Sequence, residues 1–290
     1  MSAFSLERVS PRRRRADRLA RGAVAALTLV ALVPLALVVW YLLEQGLGAL
    51  SVDFFTTDPS GSFLGDPGGI KSAIVGTVLM VALAAAIAVP VGVGVAIWLV
   101  ELGRAGKLAQ AVRYFVDVMT GVPSIVFGLF VYITLVTTGF GGSSFAGWKG
   151  SVALALLMLP VVTRSAEVVL LLVPDTLREA SYALGAPRWR TIVRVVLPAA
   201  LPGIVTGVLL AIARAAGETA PLLFTAAVVN ATTVDLGDRM NSLPALIFQN
   251  VAQPQDRLVA IAWGAALTLV AMILILTLLA RLIQRRSRLS

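Results

Sequence analysis

Six apolar stretches divide this chain, and each is long enough to cross a lipid bilayer as a helix. A transmembrane helix needs about 20 predominantly apolar residues. Only 13% of the residues are charged, whereas soluble domains carry about 25%. The sequence therefore predicts an all-α integral membrane protein with six transmembrane helices. The predicted spans are Ala23–Leu43, Ala73–Val100, Tyr114–Thr137, Ser151–Val173, Gly203–Val229 and Leu258–Leu282.

The positive charges of the chain predict how these spans are oriented. Lys and Arg collect in loops on the cytoplasmic side of a membrane. Of the 24 Lys and Arg residues, 18 fall in the segments 1–22, 104–113, 178–194 and 281–288. This distribution predicts a multi-pass protein of the plasma membrane and explains the net charge of +9 without a nucleic-acid partner. It divides the chain into a basic cytoplasmic N-terminus (1–22), a membrane domain (23–282) and a cytoplasmic tail (283–290).

Several kinds of chemistry are excluded by residues that the chain lacks. It has no Cys and no His, which excludes disulfides, thiolate metal sites and acid–base catalysis by His. It also lacks the GxxxxGK[ST] sequence that binds ATP phosphates, since the one Lys that follows a Gly, Lys107, is followed by Leu108. We therefore expect a non-catalytic subunit, without a cofactor or metal, to which another protein supplies energy.

A polar, basic segment lies between the fourth and fifth spans. Thr176 and Glu179 have the spacing of a capping box, which predicts a helix start. Gly185 suits the left-handed residue after a helix end, and Pro187 suits the first turn of a second helix that ends before Pro198. The segment is either a plain amphipathic loop at the membrane surface or a docking surface. Its predicted exposed face carries Arg178, Arg188, Arg190 and Arg194, with Tyr182 and Trp189 as contact anchors.

This segment resembles the EAA loop of ABC importer permeases. That loop has Glu-Ala-Ala, a Gly four residues later and, after nine more residues, Ile-x-Leu-Pro. The chain matches it with Ser181 in place of the last Ala and Val195 in place of Ile. The resemblance implies that residues 174–200 form a coupling loop that docks into an ATPase subunit. The coupling residues so implied are Glu179, Ala180, Ser181, Gly185, Arg188, Trp189, Leu197 and Pro198.

Apart from Arg281 at the end of the sixth span, five charged residues fall within the predicted spans, where a charge costs about 3 kcal/mol or more. Arg164 and Glu167 have i, i+3 spacing, and Arg214 and Glu218 have i, i+4 spacing, so each pair shares a helix face. The planar donors of Arg match the oxygens of phosphate or sulfate. We therefore expect these four residues to line a substrate path, the alternative being that they only hold helices together. For Asp117, near the end of its span, a structural role is favoured.

Residues 214–226, RAAGETAPLLFTA, resemble a signature of phosphate ABC transporter permeases, in particular the PstA-type subunits. The resemblance covers residues 68–282 and implies a MetI-like permease of the type I ABC importer class, acting in ATP-driven phosphate import. The partners it implies are a homologous PstC-type permease, an ATPase dimer, an external phosphate-binding protein and membrane lipid. The residues alone leave sulfate or molybdate permeases, a passive anion channel and an intramembrane enzyme as alternatives.

Overall fold

The computed structural model describes residues 11–62, 65–103 and 106–287. Arg8, Arg104 and Arg288, which contribute to the charge pattern, lie outside the described residues, as do parts of the predicted N-terminal and C-terminal segments. The described residues form helices joined by turns and loops, and one isolated β-bridge connects Pro59 with Gly68.

The helices follow the apolar stretches of the sequence, and several continue through a π-helical turn, which inserts one extra residue into a helix. The first elements are α1 (Pro11–Gly46) with the 3-10 turn Leu47–Ala49, α2 (Val52–Thr56), and α3 (Lys71–Ile97) with the π turn Trp98–Leu102. They are followed by α4 (Lys107–Gly121), α5 (Ser124–Val131) with the π turn Tyr132–Val136, α6 (Gly147–Leu171) and α7 (Asp175–Ala183). Helix α8 (Arg188–Thr191) continues through the π turn Ile192–Val196 into α9 (Leu197–Ala216), and α10 (Ala220–Thr225), α11 (Leu243–Asn250) and α12 (Asp256–Ser287) complete the described chain.

The described part of the chain contains five helices that are long and apolar enough to cross a membrane, and α4 with α5 forms a sixth, bent segment. The predicted all-α architecture is therefore confirmed. Helix α6 lies at the centre of the bundle: more than half of its apolar stretch is buried, whereas that of α1 is exposed throughout. Below, the end of the bundle at which α1 begins is called the N-terminal end, and the other is the opposite end.

The third span, predicted as the single stretch Tyr114–Thr137, consists of two helices. The axes of α4 and α5 meet at an angle of 101°. Helix α4 ends at Gly121, and Val122 takes an extended conformation (φ −72°, ψ 130°). A residue that precedes a proline avoids the helical conformation, so Val122 breaks the helix in front of Pro123. The proline thus separates two helices and does not merely bend one.

The predicted bounds of the fifth span are wrong. The helical segment begins at Arg188 and ends at Ala216, so Pro198 does not stop a helix. A proline inside an α-helix clashes with the carbonyl four residues earlier. Here a π turn precedes Pro198, and the N–H of Leu197 bonds to the carbonyl of Ile192, five residues back. This wider turn displaces the carbonyls and lets the helix continue past the proline.

The start of α7 also differs from the prediction, whereas its end agrees. Helix α7 begins at Asp175 after Pro174, and Thr176 does not serve as the N-cap. At the other end, Gly185 adopts the predicted left-handed conformation, with φ of +80°. The Gly185 N–H donates to the Tyr182 carbonyl at 2.9 Å, and the Ala186 N–H donates to the Ser181 carbonyl at 3.1 Å. These two bonds form a Schellman motif.

Small residues bring α9 into close contact with α6. A side-chain carbon on Gly203 would lie 2.6 Å from a methyl group of Val169. One turn further along α9, such a carbon on Gly207 would overlap the side chain of Ser165. The residue numbers rise along α9 as they fall along α6, so the two helices run antiparallel. Gly203 and Gly207, four residues apart, thus allow the close contact that small residues give between membrane helices.

Substitution of Gly207 by Ala should separate α9 from α6 and lower the melting temperature of the detergent-solubilised protein. The added carbon has no room, and overpacking costs about 1–3 kcal/mol. Gly94→Ala in α3 is the matched control, because a carbon at Gly94 meets nothing within 4 Å. A Gly207→Ala protein that melts at or above the temperature of the Gly94→Ala protein would contradict this packing.

Candidate translocation and coupling sites

A chain of four charged side chains joins α4 to α6. Glu167 of α6 accepts a hydrogen bond from Arg113 Nε at 2.6 Å and another from Arg164 Nη1 at 2.8 Å. Arg164 also reaches Asp117 of α4, with 3.5 Å between Nη2 and Oδ1. The network therefore runs Arg113–Glu167–Arg164–Asp117 and holds the two helices together inside the apolar region.

The members of this network differ in how far they are exposed. The Glu167 side chain is buried, and its two oxygens are occupied by two guanidinium groups. The Arg164 side chain is about half exposed, at 47%, which leaves part of its guanidinium open. The geometry thus gives Glu167 a structural part, whereas part of the Arg164 guanidinium stays exposed.

Arg113 is the member that the sequence interpretation missed. It was counted only as a positive charge of a predicted cytoplasmic segment, yet it contacts Glu167 and donates from Nη2 to the Leu99 carbonyl at 3.1 Å. A signal was present: Arg113 precedes Asp117 by four residues, which places both on one face of a helix. The i, i+4 spacing that relates Arg214 to Glu218 therefore also relates Arg113 to Asp117.

The second predicted pair is looser. Arg214 Nε lies 3.8 Å from Glu218 Oε1, and 49% of the Arg214 side chain is exposed. Arg214 occupies the last turn of α9, where a positive charge interacts favourably with the helix dipole. Glu218 follows the end of that helix, in the break before α10. Arg214 therefore combines a charge-compensating neighbour with an open face.

The two pairs lie at different depths along the bundle. Ser165, the neighbour of Arg164, is opposite Gly207. Arg214 follows Gly207 by seven residues, which corresponds to about 10 Å along a helix. Arg164 is therefore nearer the N-terminal end of the bundle, and Arg214 is nearer the opposite end. They form two successive positive sites on packed helices and not one shared pocket.

The predicted coupling segment presents a mixed polar and apolar surface at the N-terminal end of the bundle. Trp189 is 60% exposed and Leu184 is 89% exposed. The hydroxyl groups of Ser181 and Thr191 lie 2.8 Å apart and connect α7 to α8. Of the predicted coupling residues, Glu179, Ala180, Gly185, Arg188, Trp189 and Pro198 are exposed, and Ser181 and Leu197 are half-buried.

The prediction that Arg178 lies on this exposed face is wrong. Only 5% of its side chain is exposed, because it forms an ion pair with Glu101 at the end of α3, with 2.8 Å between Nη2 and Oε1. The two residues are 77 positions apart, so sequence spacing gave no signal for this contact. As for metals, no group of three His, Cys, Asp or Glu side chains comes together in the described part of the chain.

Comparison with known proteins agrees with this architecture. Residues 88–289 match the family described as "Binding-protein-dependent transport system inner membrane component". The chain belongs to this family. It is thus an inner-membrane component of an ABC transporter, a class whose permeases work with an ATPase and a substrate-binding protein. Permeases of this kind are typically non-catalytic membrane subunits.

The resemblance to PstA-type subunits is confirmed. "Phosphate transport system permease protein PstA 1" of Mycobacterium tuberculosis strain H37Rv is 42% identical over 268 residues, which cover 90% of this chain and 86% of the relative.

Solved structures support the predicted MetI-like fold. A chain of a bacterial alginate ABC transporter, solved with its alginate-bound periplasmic protein, aligns with a TM-score of 0.68 at 15% identity over 94% of this chain and 96% of that chain. A chain of an inward-facing methionine ABC transporter aligns with a TM-score of 0.56 at 22% identity over 75% of this chain and 94% of that chain. The shared fold is that of ABC importer permeases.

Substitution of Glu167 by Gln should lower the free energy of unfolding by about 3 kcal/mol, because two guanidinium groups lose their buried counter-charge. Glu218→Gln removes a carboxylate from a looser, more exposed pair, and should cost about 1 kcal/mol or less. Chemical denaturation of the two purified variants in the same detergent measures both values. Equal losses in the two variants would contradict the structural part assigned to Glu167.

Proposed function

We propose that this chain is one of the two permease subunits of an ATP-driven importer of inorganic phosphate. The observation that carries the proposal is Arg214, a half-exposed guanidinium inside the membrane region that is only loosely paired with Glu218. A half-exposed arginine within the membrane region suits an anion, and 42% identity to a phosphate permease favours phosphate as that anion. In this proposal the N-terminal end of the bundle, with both termini, faces the cytoplasm, and residues 23–282 form the membrane domain.

The arginine pairs can pass an anion without trapping it. A guanidinium offers parallel N–H donors that fit two oxygens of a tetrahedral oxyanion. Glu218 lies close enough to Arg214 to offset part of its charge, which keeps phosphate binding weak and reversible. Arg164, about 10 Å further along the helices, supplies a second positive site, and Glu167 holds it in place. Phosphate would move from Arg214 to Arg164 as access changes from the outside to the inside.

Energy for this movement would come from an ATPase dimer docked beneath the coupling segment. Trp189 and Leu184 are largely exposed, and a tryptophan beside arginines is typical of the residues that dominate protein interfaces. The permease itself carries out no catalysis in this proposal. A homologous PstC-type subunit forms the other half of the path, an external phosphate-binding protein delivers the anion to the opposite end, and lipid surrounds the complex.

Substitution of Arg214 by Gln should abolish phosphate uptake by the reconstituted complex, because the open guanidinium of the path is lost. Assembly with the partner subunits should persist, since the Arg214–Glu218 pair contributes little to stability. Arg21→Gln removes the same charge from a 77% exposed position on α1, outside the proposed path, and should leave uptake unchanged. Intact uptake in the Arg214→Gln complex would contradict a substrate path through Arg214.

Two further outcomes would favour the alternative functions. Uptake without the ATPase would favour a passive anion channel, and catalytic activity of the purified chain would favour an intramembrane enzyme.

Substitution of Trp189 by Ala should weaken binding of the purified ATPase to the permease by about 30-fold, which corresponds to the roughly 2 kcal/mol of an interface hot spot. The matched control is Trp40→Ala in α1, where the tryptophan is similarly exposed, at 68%, but far from the coupling segment. Isothermal titration in detergent measures both affinities. An unchanged affinity for the Trp189→Ala protein would exclude this residue as an anchor.

A further inference from the structure

A buried ion pair connects the coupling segment to a helix from which it is distant in sequence. Arg178 in α7 donates to Glu101 Oε1 twice, from Nε at 3.1 Å and from Nη2 at 2.8 Å. Both side chains are at most 5% exposed. Glu101 belongs to the π turn that ends α3. The pair therefore lies beneath the exposed docking surface and does not form part of it.

The Arg178 guanidinium also bonds to the end of α6. Nη1 donates to the Val173 carbonyl at 2.6 Å, and Nη2 donates to the Leu170 carbonyl at 3.2 Å. The last carbonyls of a helix lack the usual partner within that helix. Arg178 supplies a donor to the Val173 carbonyl, just past the end of α6, and a further donor to the Leu170 carbonyl, which also accepts from the Val173 N–H at 3.3 Å. One side chain thus joins the ends of α3 and α6 to the coupling helix α7.

This junction matters because the two arms of the coupling segment are connected to the bundle in different ways. The second arm, α8, continues directly into α9, so any movement of α8 reaches the helix of Arg214 through the chain itself. The first arm, α7, follows α6 in the chain, and α3 is reached from it across a non-covalent contact. The Ser181–Thr191 hydroxyl contact joins the two arms to each other.

Stability alone does not explain a buried charge pair at this position. A buried ion pair loses most of its Coulomb energy to desolvation, and apolar residues of similar size are often equally stabilising. The pair also fixes geometry. The Arg178 guanidinium binds the carboxylates of Glu101 and Asp175 and two carbonyls, which sets the relative orientation of three helix ends. A cluster of small and branched apolar side chains from α3, α6 and α9 packs beside it.

We propose that the Glu101–Arg178 pair makes α3 follow α7 during the transport cycle, so that both residues act as positioning residues for transport. The inference rests on the proposed function, in which the ATPase moves the coupling segment. Movement of α7 would then reach the bundle by two routes, through the chain into α9 and through the ion pair into α3. Since Gly92 of α3 packs closely against Val162 and Thr163 of α6, a shift of α3 would alter the wall of the path beside Arg164.

The first test compares Glu101→Gln with the double variant Glu101→Leu, Arg178→Met in the complete complex in liposomes. Gln keeps the shape and one acceptor, and the double variant replaces the pair by apolar side chains of similar length. We expect both complexes to assemble and hydrolyse ATP, with phosphate imported per ATP reduced about tenfold, within the usual range of coupling energies.

Glu44→Gln, an exposed carboxylate on α1, is the control and should transport normally. An assembled double variant that transports normally would overturn the proposal, because a stabilising contact alone can be replaced by apolar packing.

The second test measures movement directly and does not depend on the transported anion. Because the chain has no Cys, spin labels can be introduced at Leu102→Cys and Thr176→Cys, two exposed positions at the end of α3 and the start of α7. We expect the distance between the labels to stay constant through the ATP cycle with Glu101 present, and to change or broaden in the Glu101→Gln background. A distance that is equally constant in both backgrounds would overturn the proposal. If labelled complexes behave as expected but phosphate is not imported, the proposed substrate fails and the link between α7 and α3 stands.

Discussion

The close contact between α9 and α6 sets the arrangement of the two helices that carry Arg164 and Arg214. Gly203 and Gly207 let the α9 backbone approach Val169 and Ser165, since inside a membrane helices associate through fit and not through exclusion of water. That contact sets the depth of the two exposed arginines relative to each other. It also ties the coupling segment, which is continuous with α9, to the most buried helix of the bundle.

Charged residues in the described part of this bundle differ in how far their partners enclose them. Glu167 and Arg178 are buried and hold several partners each, and they fix helices. Arg214 has one loose partner and an open face, which is the property that a translocation site for an anion requires. The sequence does not separate these roles, because all three residues have charge-pair spacing or basic surroundings in it. The distances to their partners and the exposed fractions of their side chains do.

Features encoded within one turn or one helix could be predicted from the sequence. The apolar stretches, the i, i+3 pair at Arg164 and the left-handed conformation of Gly185 belong to this group, since local rules determine them. Features that depend on distant partners could not. Arg178 is buried because Glu101, 77 residues away, meets it, and the helix continues past Pro198 because a π turn widens the backbone there. Arg113 is an intermediate case. Its spacing of four residues from Asp117 indicated a shared helix face, but Arg113 was counted only as a cytoplasmic positive charge.

The central claim is that this bundle moves phosphate when a docked ATPase drives it. The most direct measurement is ATP-dependent uptake of labelled phosphate by the reconstituted complex of both permeases, the ATPase and the external binding protein, with unlabelled sulfate as competitor. We expect uptake of the label to require ATP, to stop when unlabelled phosphate is added in excess, and to persist in excess sulfate. Uptake that sulfate suppresses as strongly as phosphate does, or that proceeds without ATP, would contradict it.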